Sequence, residues 1–325
     1  MAFANPSVTD IIATTIQSRS KMIADNVTDN NGFLNRLSKR GNLKTVSGGD
    51  VIFQELSFAE NANAGWYSGY DLLPVGISDV ISAAQYDWRQ FAVPIIISGL
   101  EELKNSGKER MIDLMEGRMS VAESTMANQI SIGLYSDGSA SGGKQLQGLD
   151  LAVSETPAVG TYGGIDPATA VGTFWRNYAA ALDITAANVQ TQLNLAWSRL
   201  VRGADRPDLI LMGTSFWNTY VASLQAQQRF NSPTVGDAGF ATIKFMDADV
   251  ILDGGIGGAC SDGDCFLLNT KYLFYRPHAR RNMVPLSPNK RYATNQDAEV
   301  QILGWAGNMT CSGRQFQGRI TDTTP

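Results

Sequence analysis

Apolar residues recur at helical spacing through one long stretch: Ile112, Met115, Met119, Ala122, Met126, Ile130 and Leu134 follow one another at intervals of three or four. That spacing sets all seven on one face of a helix. Such a helix would run for about 28 residues, roughly 42 Å. Ser98 with Glu101, and Ser106 with Glu109, have the S-x-x-E spacing of a capping box, in which each side chain bonds the other residue's free backbone N–H. The pairs predict a short helix over 99–105 and a restart near 107, and Asp137-Gly138 stops the run. A helix this long exceeds the usual globular range. It reads as a spine with one face buried.

The rest of the chain is patterned around it. Ile12, Ile16, Ile23 and Val27 predict a helix over 9–27, Asn30-Asn31-Gly32 breaks it, and 33–41 has room for a turn or two more. Residues 1–50 thus read as an arm with little core of its own. VIFQELSF, VGISDVISAAQYDW and FAVPIII have strand composition, and predict a long two-stranded excursion, out along 51–60 and back along 75–97. So long a hairpin with few apolar partners is marginal alone and must lie on something else. After the spine, LQGLDLAVS (146–154) has strand character. An α/β unit follows, with a helix over 185–202 capped by Thr185, a buried strand at 208–212 and a helix over 215–228 capped by Thr214. Strands at 241–246 and 250–252 complete it. FLLNTKYLFY and AEVQILGWAGNMTCS then read as strands before a polar tail.

Composition narrows the chemistry. The chain has 325 residues, 43% apolar and 18% charged, with a net charge of −5. This suits a folded protein whose main task is not gripping phosphates. No stretch is apolar enough for a membrane span, and the N-terminus lacks the basic and apolar regions of a secretory signal. Three cysteines give no disulfide framework. A single histidine, His278, lies in RPHARR without a nucleophile or carboxylate nearby, and reads as structural or as an interface residue. Cys260 and Cys265 have no partner pair for zinc. Asp262 and Asp264 could touch calcium, but a solvated turn is the plainer reading. DGGIGG (253–258) lacks the lysine step and following helix of a phosphate cradle. No catalytic residue, metal site or cofactor is expected.

Two charge features stand out. The excursion holds Glu55, Glu60, Asp71, Asp79 and Asp87 against Arg89 alone, a net of −4. The 271–296 segment holds Lys271, Arg276, Arg280, Arg281, Lys290 and Arg291 with no acid. Both could be ordinary solvated faces. Alternatively the hairpin of one copy lies across the basic strip of a neighbour, where matched charge fixes register. A third option is that the strip and the arm face nucleic acid.

The order of elements, with ISGLEELKNSG before the spine, LYSDG…QGL after it and TYGGIDPATAVGTFWRN (161–177) early in the α/β unit, resembles the tailed-bacteriophage major capsid proteins of the Hong Kong 97-type fold. The resemblance covers essentially the whole chain. It implies an α+β fold: an N-arm (1–50), an extended hairpin or E-loop (51–97), a peripheral domain (98–150) with return strands (269–325), and an α/β axial domain (151–268). It further implies a homo-oligomeric shell of pentamers and hexamers around double-stranded DNA, formed in the host cytoplasm, with a portal and no membrane. The acids and Arg276, Arg280, Arg281, Lys290 and Arg291 become candidate inter-subunit residues. Some relatives weld subunits through an E-loop lysine, but none stands between Glu55 and Leu100. The short arm after Met1 points to a separate scaffolding protein rather than a cleaved leader. An encapsulin-like compartment shell and an α/β hydrolase or transferase are the alternatives.

Overall fold

The computed structural model describes residues 31–73, 75–78, 80–104, 108–225, 242–254, 258–286, 291–292 and 298–325. The expected helix over 9–27 and the capping box at Ser106 lie outside them. In chain order the elements are α1 (Gly32–Lys39), β1 (Ile52–Ser57), β2 (Ile81–Tyr86), β3 (Arg89–Ser98), α2 (Gly99–Lys104) and α3 (Lys108–Tyr135). Next come β4 (Tyr178–Leu182), α4 (Val189–Leu200), β5 (Leu209–Met212), α5 (Thr214–Gln225), β6 (Thr242–Phe245), β7 (Ala248–Leu252) and β8 (Asp264–Leu268). The chain closes with β9 (Leu273–Pro277), β10 (Val284–Pro285), β11 (Arg291–Tyr292), β12 (Ala298–Cys311) and β13 (Gly318–Asp322).

The spine is α3, 28 residues long. Of its stripe, Met119, Ala122, Met126, Ile130 and Leu134 are buried, while the side chains of Ile112 and Met115 lie outside the description. Each buried Leu or Met contributes about 1.5–3 kcal/mol. The first capping box is present: Ser98 N–H donates to the Glu101 carboxylate and Glu101 N–H to Ser98 Oγ, both at 3.3 Å.

Two larger sheets pack around α3. In the first, the long strand β12 pairs β3 over ten residues, from Arg89↔Gly307 to Ser98↔Ala298. Along its other edge β12 pairs β9, β10 and β11. The second is six-stranded, in the order β4-β13-β8-β5-β7-β6. All four residues of β5 are buried, as a strand covered on both faces requires. Ile210 and Met212 face α4 and α5, and Leu209 and Leu211 join the core around α3. The two halves of the molecule therefore share a core.

Several expectations are corrected. The described part of the arm packs into the core of the rest of the chain: Phe33, Leu34 and Leu37 of α1 are fully buried, and Arg36 pairs Asp249 at 3.1 Å while Arg40 pairs Asp208. The return leg of the excursion is two strands. Only β2 pairs β1, from Ile52↔Tyr86 to Ser57↔Ile81, and β3 leaves the ribbon for β12, since strand composition does not specify a partner. FLLNTKYLFY likewise divides, β8 in one sheet and β9 in the other, across a turn at Thr270–Tyr272. The tail contains β13, which pairs β4 and β8 inside the six-stranded sheet. Helix α4 starts after Asn188 rather than Thr185, and the Thr214 hydroxyl makes no capping bond.

LQGLDLAVS is a helical turn at Leu149–Ala152, not a strand. Gly148 N–H donates to Ser136 O at 3.0 Å. A Cβ there would lie 2.4 Å from the carbonyl oxygens of Gly133 and Leu134, so the chain is pressed against the end of α3. Gly148→Ala should destabilise the fold by about 1–3 kcal/mol, read as a lower denaturation midpoint. An unchanged midpoint would contradict this close approach.

Candidate assembly surfaces

The hairpin has a built base and an open tip. Ile52, Gln54 and Leu56 of β1 point inward and alternate with exposed Phe53, Glu55 and Ser57. On β2, Ala84 and Tyr86 are buried. The Tyr86 hydroxyl donates to Cys311 O at 3.0 Å, and burial pushes its pKa far above the usual phenol value. Tyr86 meets Tyr162 edge-on at 5.1 Å, and Trp175 Nε1 donates to Tyr162 O at 2.9 Å. The 161–177 motif is thus the buttress of the hairpin base. Gly163, at φ +62°, has room for no side chain, because a Cβ would stand 2.9 Å from Ala84 Cβ and the Tyr86 hydroxyl.

A polar clamp completes the base. Arg276 Nη2 donates to Gln54 Oε1 at 2.6 Å and its Nε to Thr310 Oγ1 at 3.2 Å. Burial without a carboxylate lowers the Arg276 pKa. Arg276, expected on an open basic strip, therefore spends its donors within its own chain. Lys271 does the same with Asp205, at 2.8 Å.

Beyond the base the surface changes. Trp66, Tyr70, Leu72, Val75 and Ile77 are as exposed as in an extended chain, and Tyr67, Leu73 and Ile81 are more than half exposed. Side-chain bonds within the tip (Ser68 N–H to Asp71 at 2.8 Å, Asn63 Nδ2 to Gly76 O at 2.6 Å) shape it without covering these residues. So many large apolar groups in 66–81 mark a contact surface.

The acids are less free than their count suggests. Asp71 holds its own turn, Glu60 lies 3.9 Å from Arg202, and Asp87 lies 3.9 Å from Arg89. Glu55 is exposed. Asp79 and Lys290 lie outside the described residues, as does the Arg291 side chain. Arg280 and Arg281 are exposed on the bulge between β9 and β10. His278 braces that bulge: its Nδ1 accepts from Arg280 N–H at 3.0 Å and its ring meets Trp88 at 5.2 Å.

A second open apolar surface lies between β3 and α3, a groove of about 650 Å³ lined by Val93, Ile95 and Ile96 with Gly117, Val121 and Thr125. Arg118 closes one end by bonding Ile96 O and pairing Glu101 at 2.7 Å, which holds the Glu101 carboxyl below its usual range. Sequence reasoning missed this groove, whose two walls stand apart in sequence. The sequence signal was the surplus apolar content of FAVPIII, with both faces of the strand apolar. Among the described residues, no helix is long and apolar enough to cross a membrane, and no three His, Cys, Asp or Glu side chains gather as a metal site.

No family model matches the chain, and no curated protein matches it in sequence. Solved structures do match in fold. The cyanophage A-1(L) capsid subunit is similar over 90% of this chain and 93% of its own, with a TM-score of 0.59 and 14% identity. The capsid of a native GTA particle matches over 87% and 89%, with a TM-score of 0.58 and 10% identity. The satellite phage P4 procapsid, a structure that includes the size determination (Sid) protein, matches over 99% and 92%, with a TM-score of 0.52 and 9% identity. The chain has the α+β fold of tailed-phage capsid subunits, the Hong Kong 97-type architecture.

Gly163→Ala should loosen the hairpin base at a cost of about 1–3 kcal/mol, from left-handed backbone strain and overlap with Tyr86. The expected result is faster proteolysis within 52–86 than in α4 or α5. Equal rates in variant and wild type would show that the buttress is dispensable.

Proposed function

We propose that this chain is the structural subunit of an icosahedral phage shell, assembling as pentamers and hexamers around double-stranded DNA. Its place is the virion, after assembly in the host cytoplasm. The observation that carries this reading is the hairpin tip, whose apolar side chains find no cover on their own chain. The fold likeness to capsid subunits supports a neighbouring copy as their cover. Burial of such groups contributes about 25 cal/mol per Å², so the tip supplies the contact energy. The exposed charges of Glu55, Arg280 and Arg281 set register. The division into arm, hairpin, peripheral and axial units carries over as part of this reading, with β3 and β13 reassigned by their pairing.

The chemistry available supports a structural role. All three cysteines are buried, and burial pushes their thiols up, away from the reactive thiolate. His278 has Nδ1 occupied by a backbone N–H. A partner that sets shell size fits as well, given the size determination protein in the matching P4 procapsid, and a portal would complete the particle.

Deleting residues 61–73, or replacing Trp66 and Tyr70 with serine, should leave a folded subunit with an unchanged melting temperature that forms no closed particles in negative stain. Normal particles from either variant would contradict the reading. Replacing Arg280 and Arg281 with glutamate should leave the fold intact, since exposed charges matter little to stability, and reduce assembly most at low salt. Assembly equal to wild type across salt concentrations would remove these arginines from the contact.

A further inference from the structure

Two carboxylates share one guanidinium where the end of α3 touches the six-stranded sheet, and a third binds the Tyr135 hydroxyl. Arg319 of β13 grips Asp264, at the start of β8, with two bonds, Nε–Oδ1 at 3.1 Å and Nη2–Oδ2 at 2.8 Å. Its third nitrogen, Nη1, reaches Asp150 Oδ1 at 3.1 Å. Asp150 belongs to the helical turn that Gly148 presses against α3. The Tyr135 hydroxyl, on the last residue of α3, donates to the Asp253 carboxylate, just beyond β7. Arg314 donates to Ala152 O at 2.7 Å and Leu151 O at 3.1 Å. The helix end is thus fastened to the sheet by Asp150–Arg319 and Tyr135–Asp253. The reading of Asp264 as part of a solvated turn is overturned: it is 2% exposed.

We propose that this joint is operated by protons, holding the end of α3 tightly to the six-stranded sheet in mild acid and loosening at neutral pH. The groups facing Asp150 are Arg319 and the carboxylates of Asp264, Asp137 and Glu155, and the nearby Cys260 thiol feels Asp264, Asp253 and Asp150. With both carboxylates charged, Asp150 and Asp264 place two negative charges against the one guanidinium of Arg319. Such an excess favours protonating whichever carboxyl is held least tightly. Asp264 has both oxygens on the guanidinium, whereas Asp150 has one. Burial raises the Asp150 pKa to about 6 against the pull of Arg319, and burial also raises that of Asp253. A carboxyl raised in the folded state binds its proton more tightly there than in the unfolded chain. Its contribution to stability is complete below about pH 4 and is lost as the pH rises through the folded value.

This inference concerns the single subunit, so it stands or falls independently of the shell. The test is hydrogen–deuterium exchange on the unassembled full-length chain at pH 7.5, 6.5 and 5.5, normalised for intrinsic exchange, with α5 as internal reference. Protection of residues 149–153 should rise about fourfold, relative to α5, between pH 7.5 and 5.5. In Asp150→Asn, which mimics the protonated carboxyl, it should be high at every pH. Parallel profiles in the two proteins, or protection that falls in acid, would overturn the proposal. Should the variant fail to fold, carbon-13 titration of the Asp150 carboxyl in the wild type decides: a midpoint near 6 supports the joint, and one near 4 refutes it.

Discussion

The buried face of α3 is the interaction on which the rest of the subunit depends. Met126, Ile130 and Leu134 lie in one apolar cluster with Leu209, Leu211, Phe266 and Leu268 from the six-stranded sheet and with Leu303 and Trp305 from β12. A single helix face therefore joins two sheets that share no strand pairing. Truncating one such side chain to alanine costs about 2–5 kcal/mol, a large part of a domain's net stability. The length of α3 follows from this task, because it must reach from the groove beside β3 at Gly117 to the polar joint at Tyr135.

The hairpin obeys a different economy. Its base is satisfied inside the chain by Tyr86, Gln54, Arg276 and the 161–177 buttress. Its tip carries Trp66, Tyr70 and Leu72 into solvent. A segment selected only for the stability of the monomer would not combine a fixed base with an uncovered apolar end. The combination makes sense when the covering surface belongs to another copy, and the open groove between β3 and α3 shows that the subunit also presents apolar surface elsewhere.

Features set by local sequence were legible without the structure. The α3 stripe, the Ser98–Glu101 box, the alternation of β1 and the α/β unit each follow from spacing within one segment. What was hidden depends on contacts between distant residues. Nothing in FAVPIII says that β3 pairs β12 more than 200 positions later, nor does the polar tail announce a strand beside β4 and β8. LQGLDLAVS has strand composition, but the approach of Gly148 to α3 folds it into a turn. Charge was incomplete in the same way: Arg276, tallied as an open base, is engaged within the chain, whereas Asp71 bonds its own turn and stays exposed. The hairpin was legible as an excursion lacking partners, but the exposure of its apolar tip was not.

The central claim is that the hairpin tip is covered only by a second copy of the chain. A cryo-electron reconstruction of particles formed by the purified full-length protein tests it most directly. The account predicts closed icosahedral shells in which Trp66 and Tyr70 are buried against a neighbouring subunit. Shells in which these residues remain in solvent, or a protein that stays monomeric with the tip folded onto its own body, would contradict it.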